Sequence, residues 1–161
     1  MRILAIASEI NQELIRLIEQ CSTCQLAVAW ASVGFPAFDL LVTNLHKIER
    51  MVVGTHFCQT HPQFIETFLN SENVRFVMNP NGVFHPKVYL FEKLYKRWEC
   101  IIGSSNLTNG GISKNDEVAV LMTHEDHGAQ EAIGRIKSIV STYWRKSSQL
   151  TSEGLSNYQV A

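Results

Sequence analysis

The chain has 161 residues, 45% of them hydrophobic and 18% charged, and its 14 basic and 15 acidic side chains leave a formal charge of −1. These values exclude a disordered polyelectrolyte and a globally basic nucleic-acid binder, so any polyanion site has to be a local patch. They fit one globular domain whose core needs no disulfide or metal to hold it.

Along the chain, the apolar run Ile3–Ala7 is too short for a signal peptide and is followed by Glu9 and Glu13. No segment approaches the roughly 20 apolar residues of a membrane helix, so a cytoplasmic protein with no membrane association is expected. Ile10, Leu14, Leu17 and Ile18 recur at helical spacing over residues 10–20. Residues 25–32 read as a buried strand, 35–48 as a helix and 50–55 as a strand ending in Gly-Thr. Thr60 is placed to cap the next helix, with Pro62 in its first turn.

Residues 74–78 form another expected strand and Asn79–Gly82 a turn. Three strands follow in succession, at 87–92, 98–104 and 117–122, the first two joined by the polar hairpin Lys93–Arg97. Residues 126–146 read as an amphipathic helix with Ala132, Ile133, Ile136, Ile139, Val140, Tyr143 and Trp144 facing inward. The domain is expected to span 1–147, and 148–161 to be a flexible polar tail. Alternation of helices and strands at first argues for parallel pairing, and the later hairpins for antiparallel pairing. The expected fold class is α/β, with a mixed β-sheet sandwiched by helices.

Four cysteines stand at 21, 24, 58 and 100. Cys21-x-x-Cys24 is half of a zinc signature, and His56, Cys58 and His61 could complete it. The preferred reading is ordinary thiols and surface histidines, with no metal site. A local basic patch is expected from Lys87, Lys93, Lys96 and Arg97.

Chemistry concentrates between 85 and 117. His85 and Lys87 lie two apart at the start of a strand and share one face. A neutral imidazole can act as nucleophile or base and an ammonium can hold an anion, so the pair suits a phosphate. Gly103-Ser104-Ser105-Asn106 follows the next strand, with two hydroxyls and an amide able to donate to phosphate oxygens. Glu117 is a candidate acceptor for the Nδ1 proton of His85, which would fix its tautomer. Phe84 and the loop 109–115 are candidates to line the cleft. Trp30, Phe35 and Phe57 could stack on bases, but their positions near the early strands favour the core.

His85-Pro86-Lys87, then Gly103-Ser104-Ser105-Asn106-Leu107-Thr108, then a glutamate eleven residues past the asparagine, resemble the catalytic motif of the phospholipase D superfamily. That motif is His-x-Lys, then Gly-Ser-x-Asn and a downstream acidic residue. The likeness is specific over 85–117, and the upstream pattern is compatible with it. One copy is present, where the longer phospholipases and synthases carry two. In this the chain is similar to short metal-independent nucleases, including the nuclease domains of certain restriction enzymes. Glu92 stands where the fuller motif has an aspartate, but alternation from Lys87 turns it to the other sheet face.

The resemblance implies a phospholipase D-like fold and a phosphodiesterase or endonuclease acting on DNA, or on RNA, without a cofactor. It implies a homodimer in which two His85 residues share one site, one forming a phosphohistidine. Lys87 and Asn106 would hold phosphate oxygens, Ser104 and Ser105 would contact substrate, and Glu117 would orient His85. With no room for a separate recognition domain, either the chain cuts with little sequence preference or a partner, such as a helicase or target-recognition subunit, supplies specificity. Two alternatives stand beside this: a phospholipid or other small-diester hydrolase of the same fold, and a catalytically silent nucleic-acid- or protein-binding subunit.

Overall fold

The computed structural model describes residues 1–78 and 80–160. Asn79, which opens the expected turn, and Ala161, at the end of the expected tail, lie outside the described residues. Among the described residues, seven strands form one sheet: β1 (Arg2–Leu4), β2 (Thr23–Val28), β3 (Ile48–Gly54), β4 (Val74–Val77), β5 (Lys87–Glu92), β6 (Trp98–Gly103) and β7 (Ala119–Thr123). Their order is β1-β7-β6-β5-β2-β3-β4. β2, β3 and β4 run parallel, and every other pairing is antiparallel. The mixed α/β fold follows the sequence pattern: strands separated by helices pair in parallel, and strands joined by hairpins pair antiparallel.

Helices cover both faces. On one lie α1 (Ala7–Gln20), α2 (Pro36–Thr43), α3 (Pro62–Phe68) and, over the 103–118 connection, the short α4 (Asn109–Ser113). Their apolar stripes, including Ile10, Leu14, Phe38 and Phe64, meet the alternate strand residues Leu26, Val28, Val53, Tyr89 and Phe91. On the other face lies α5 (Ala129–Lys146), whose Ile136 and Val140 meet Ala27, Val52, Val88 and Leu90. Ile139 does not face inward as its spacing suggested; it is 45% exposed. Glu92 accepts from Lys137 of α5 at 2.6 Å, on the face opposite Lys87, as alternation required.

The expected loose tail is instead ordered as α6 (Ser152–Val160). Leu155 and Tyr158 are buried in the first core, and the Tyr158 hydroxyl donates to the Thr60 carbonyl at 2.6 Å. Two apolar anchors four or fewer residues apart hold a mostly polar segment to the body. Thr60 does not cap α3 either. That cap is His61, whose Nδ1 accepts from Gln63 N at 3.1 Å.

Candidate active site

The site forms where β2 ends and β5 begins. β5 runs antiparallel to β2 with Val28 opposite Lys87, and Ala29 N donates to Pro86 O at 2.9 Å. The two residues beyond the end of β2, Ala29 and Trp30, therefore lie against His85-Pro86-Lys87. His85 is exposed, whereas Lys87 is 6% exposed. The Lys87 ammonium lies 2.7 Å from His85 Nδ1 and 2.9 Å from Nε2, and donates to the His85 carbonyl at 3.0 Å.

Trp30 joins the parts of the site. Its ring meets the His85 imidazole edge-on with centroids 5.2 Å apart, and the Lys87 Nζ lies 5.8 Å from its centroid. Its backbone N–H donates to Asn106 Oδ1 at 3.3 Å. That bond occupies the amide oxygen and leaves Nδ2 able to donate elsewhere. Trp30 is half-buried rather than a core residue, and its indole nitrogen has no partner among the described residues. Sequence reasoning missed this role. The available signal was that Leu26, Val28 and Trp30 continue one face of a strand past its end.

The connection from β6 to β7 carries the rest. Ser104 Oγ donates to Glu117 and accepts from Val118 N at 3.1 Å. Asn115 Nδ2 donates to the other Glu117 oxygen at 3.2 Å. The carboxylate is therefore held by Ser104 and Asn115, not by His85 as the sequence suggested. Its charge still reaches Lys87, where it favours the protonated form. Ser105 is placed differently from expectation: it is 1% exposed and its hydroxyl donates to Gly111 O. It is built into the loop, its carbonyl accepting from the buried Tyr89 hydroxyl at 2.8 Å.

Gly103 serves strand packing. A β-carbon there would lie 2.4 Å from Val118 O and 2.6 Å from Ala119, so only glycine lets β6 and β7 approach beside Ser104 and Glu117. A cleft of about 590 Å³ opens next to this pair, lined by Ile6, Ser8, Ser104, Asn115, Glu117 and Val118 among others. Phe84 does not line it; it is buried and stacks edge-on against Tyr143 of α5 at 5.1 Å.

Partial desolvation of the ring, though the residue is exposed, and the neighbouring Lys87 ammonium hold the His85 pKa below the ordinary imidazole value. Burial likewise depresses Lys87, with Glu117 opposing the shift. A depressed imidazole is neutral near pH 7, as a nucleophile requires. The expected basic patch is divided. Lys87 is at one end of β5, and Lys93, Lys96 and Arg97 are beyond the other, about 20 Å away at the strand rise per residue. Lys93 is moreover paired with Glu99. Among the described residues no three His, Cys, Asp or Glu side chains gather where they could hold a metal ion. Cys21 and Cys24 are buried in the core and Cys58 is exposed. No described helix is long and apolar enough to cross a membrane.

Comparison with solved structures finds the same fold in proteins of low sequence identity. The chain is similar to NucT from Helicobacter pylori, with 14% identity and a TM-score of 0.68 over 92% of this chain and 98% of that one. It is similar to Nuc from Salmonella typhimurium, a phospholipase D family member, with 16% identity and a TM-score of 0.67 over 94% and 99%. It also resembles part of the polyphosphate kinase from Porphyromonas gingivalis, with 14% identity and a TM-score of 0.63 over 95% of this chain and 24% of that one. No curated protein matches the sequence. Residues 45–144, well over half of the chain and all of its His-x-Lys and Gly-Ser-x-Asn motif, match the family described as cardiolipin synthase, PLD-like domain, and the chain belongs to that family.

Proposed function

We propose that the protein is an endonuclease that hydrolyses DNA through a phosphohistidine at a site shared by two copies of the chain. The class, a phosphodiester hydrolase, comes with the family and the motif. The observation that carries the finer reading is the placement of the His85 imidazole against the Lys87 ammonium, with Trp30 touching the imidazole and holding the Asn106 amide. The fold match to NucT and Nuc over more than nine-tenths of this chain supports a nuclease over a lipid enzyme.

The steps follow from these groups. His85 of one copy attacks phosphorus, forming a P–N bond. The P–O bond to the leaving nucleotide breaks, and its oxygen takes a proton from the second copy's His85. That second imidazole, now neutral, removes a proton from water. The resulting hydroxide attacks phosphorus, the P–N bond breaks, and the first imidazole is regenerated. Lys87 and Asn106 face the non-bridging oxygens, where negative charge accumulates. Ser104 and Glu117 position this edge of the site. Each copy supplies one histidine, so a lone copy lacks the acid.

One observation favours a second reading. Ile6 and Val118 are 56% and 54% exposed and rim the cleft beside Ser104 and Glu117. Such a rim would suit a phospholipid, but it equally suits the face of a second copy that the chemistry requires. We assign it to the second copy. The test is incubation of the protein with plasmid and single-stranded DNA in excess EDTA, beside His85→Ala. Cleavage by wild type alone is expected. Cleavage that needs magnesium or survives His85→Ala overturns the mechanism. Hydrolysis of phospholipid vesicles with none of DNA establishes the second reading, and activity on neither substrate overturns both.

A further inference from the structure

The chain has eight phenylalanines. Seven are at most 9% exposed, and Phe57 is 70% exposed. Its backbone is as unusual as its exposure. Phe57 and Cys58 are consecutive non-glycine residues in the left-handed region, with φ of 54° and 51°. That conformation costs free energy for any residue but glycine. Among the described residues there is one other such pair, Tyr95 and Lys96, at φ 61° and 56°. Those two form the turn of the β5–β6 hairpin, where left-handed residues match the strand twist. Phe57 and Cys58 lie between the parallel strand β3 and helix α3, where no hairpin calls for them.

The loop that carries Phe57 is rooted at the active site. A β-carbon on Gly54 would lie 2.5 Å from Ala29 O and 3.1 Å from the Phe84 ring, so β3 ends against the segments leading to Trp30 and His85. The buried Thr60 hydroxyl donates to Gly54 O at 2.7 Å and accepts from Ala31 N at 3.2 Å. His61 N donates to Ala31 O at 2.9 Å, and Tyr158 clamps Thr60 from α6. The loop base is thus fixed to the residue after Trp30, and an aromatic ring stands exposed at its tip with the His56 ring 5.7 Å behind it.

We propose that Phe57 is a base-stacking residue that holds a nucleobase of a single-stranded substrate beside the scissile phosphate. This inference rests on the nuclease reading above. Stacking needs an open base face, which a single strand offers and a duplex hides. It also adds affinity that Lys93, Lys96 and Arg97 do not supply here, because they sit at the far end of β5. A strained backbone retained at an exposed phenylalanine is accounted for by what the ring contacts in the complex.

The test measures binding of labelled oligothymidylate to His85→Ala protein by fluorescence anisotropy, with and without Phe57→Ala. Phe57→Ala is expected to weaken binding about tenfold. Phe57→Trp is expected to restore it. An oligonucleotide of the same length made of abasic sites should bind both proteins equally. The inference is overturned if Phe57→Ala leaves oligothymidylate binding unchanged, or weakens binding of the abasic strand as much. Phe57→Gly is expected to melt no lower than wild type, since glycine accepts the left-handed φ; a lowered Tm would show a structural role instead. Cleavage by the wild-type chain is scored in parallel. Phe57-dependent binding without cleavage retires the nuclease chemistry and keeps the stack. Cleavage with Phe57-independent binding does the reverse, and absence of both retires both.

Discussion

Lys87 carries its ammonium in a place that is only 6% exposed, and burial holds its pKa below the ordinary lysine value. The folded chain binds that proton less tightly than the unfolded chain. The charged lysine therefore destabilises the fold at neutral pH, and the penalty fades as pH rises toward the unfolded value of about 10.4. Lys87→Met is expected to abolish cleavage yet raise stability at pH 7 by about 1 kcal/mol, an advantage that shrinks toward pH 10. Urea melts at several pH values measure this, and a variant less stable than wild type at pH 7 would contradict it. The juxtaposition legible in the sequence is the one fixed by local geometry: His85 and Lys87, two residues apart, lie side by side. Trp30 was not legible as part of the site, because its role depends on β5 lying beside β2. Ser105 looked like Ser104 in sequence, and only the burial of its hydroxyl against Gly111 separates them.

Elements were legible where periodicity was strong. α1, α5 and the strands from β2 to β7 announce themselves by apolar spacing. β1 is three residues long, α4 contains two glycines, and α6 has a weak amphipathic pattern, so none gives a clear periodic signal. α6 nevertheless has structural weight, because Tyr158 binds the carbonyl of Thr60 at the root of the Phe57 loop. Tyr158→Phe is expected to lower stability by about 1 kcal/mol, the usual worth of one such hydrogen bond. Tyr158→Ala, which also empties a buried aromatic site, should cost about 3 kcal/mol. Chemical denaturation measures both, and equal values for the two variants would show that the ring packs against nothing of consequence.

At the scale of the whole molecule, the proposed sharing of one site by two copies of His85 makes two measurable demands. One imidazole must be neutral while the other is protonated, and their titrations couple. One neutral and one protonated imidazole in the same site should give a bell-shaped dependence of rate on pH. A flat rate from about pH 5 to 9 would contradict paired histidines. Mixed dimers supply the second check. When wild-type and His85→Ala chains are co-folded, activity should follow the square of the wild-type fraction, and simple proportionality would show that each chain works alone. The topology adds a temporal consequence. β1, made first, pairs with β7, made last among the strands, through Ile3 opposite Val120. During synthesis at roughly 5–20 residues per second, the first strand waits seconds for its neighbour. The sheet closes only after the ribosome has released residues on both sides of the catalytic segment. Until β7 emerges, β1 has no strand to pair with, and the segment that carries Glu117 and Val118 is not yet anchored to the sheet.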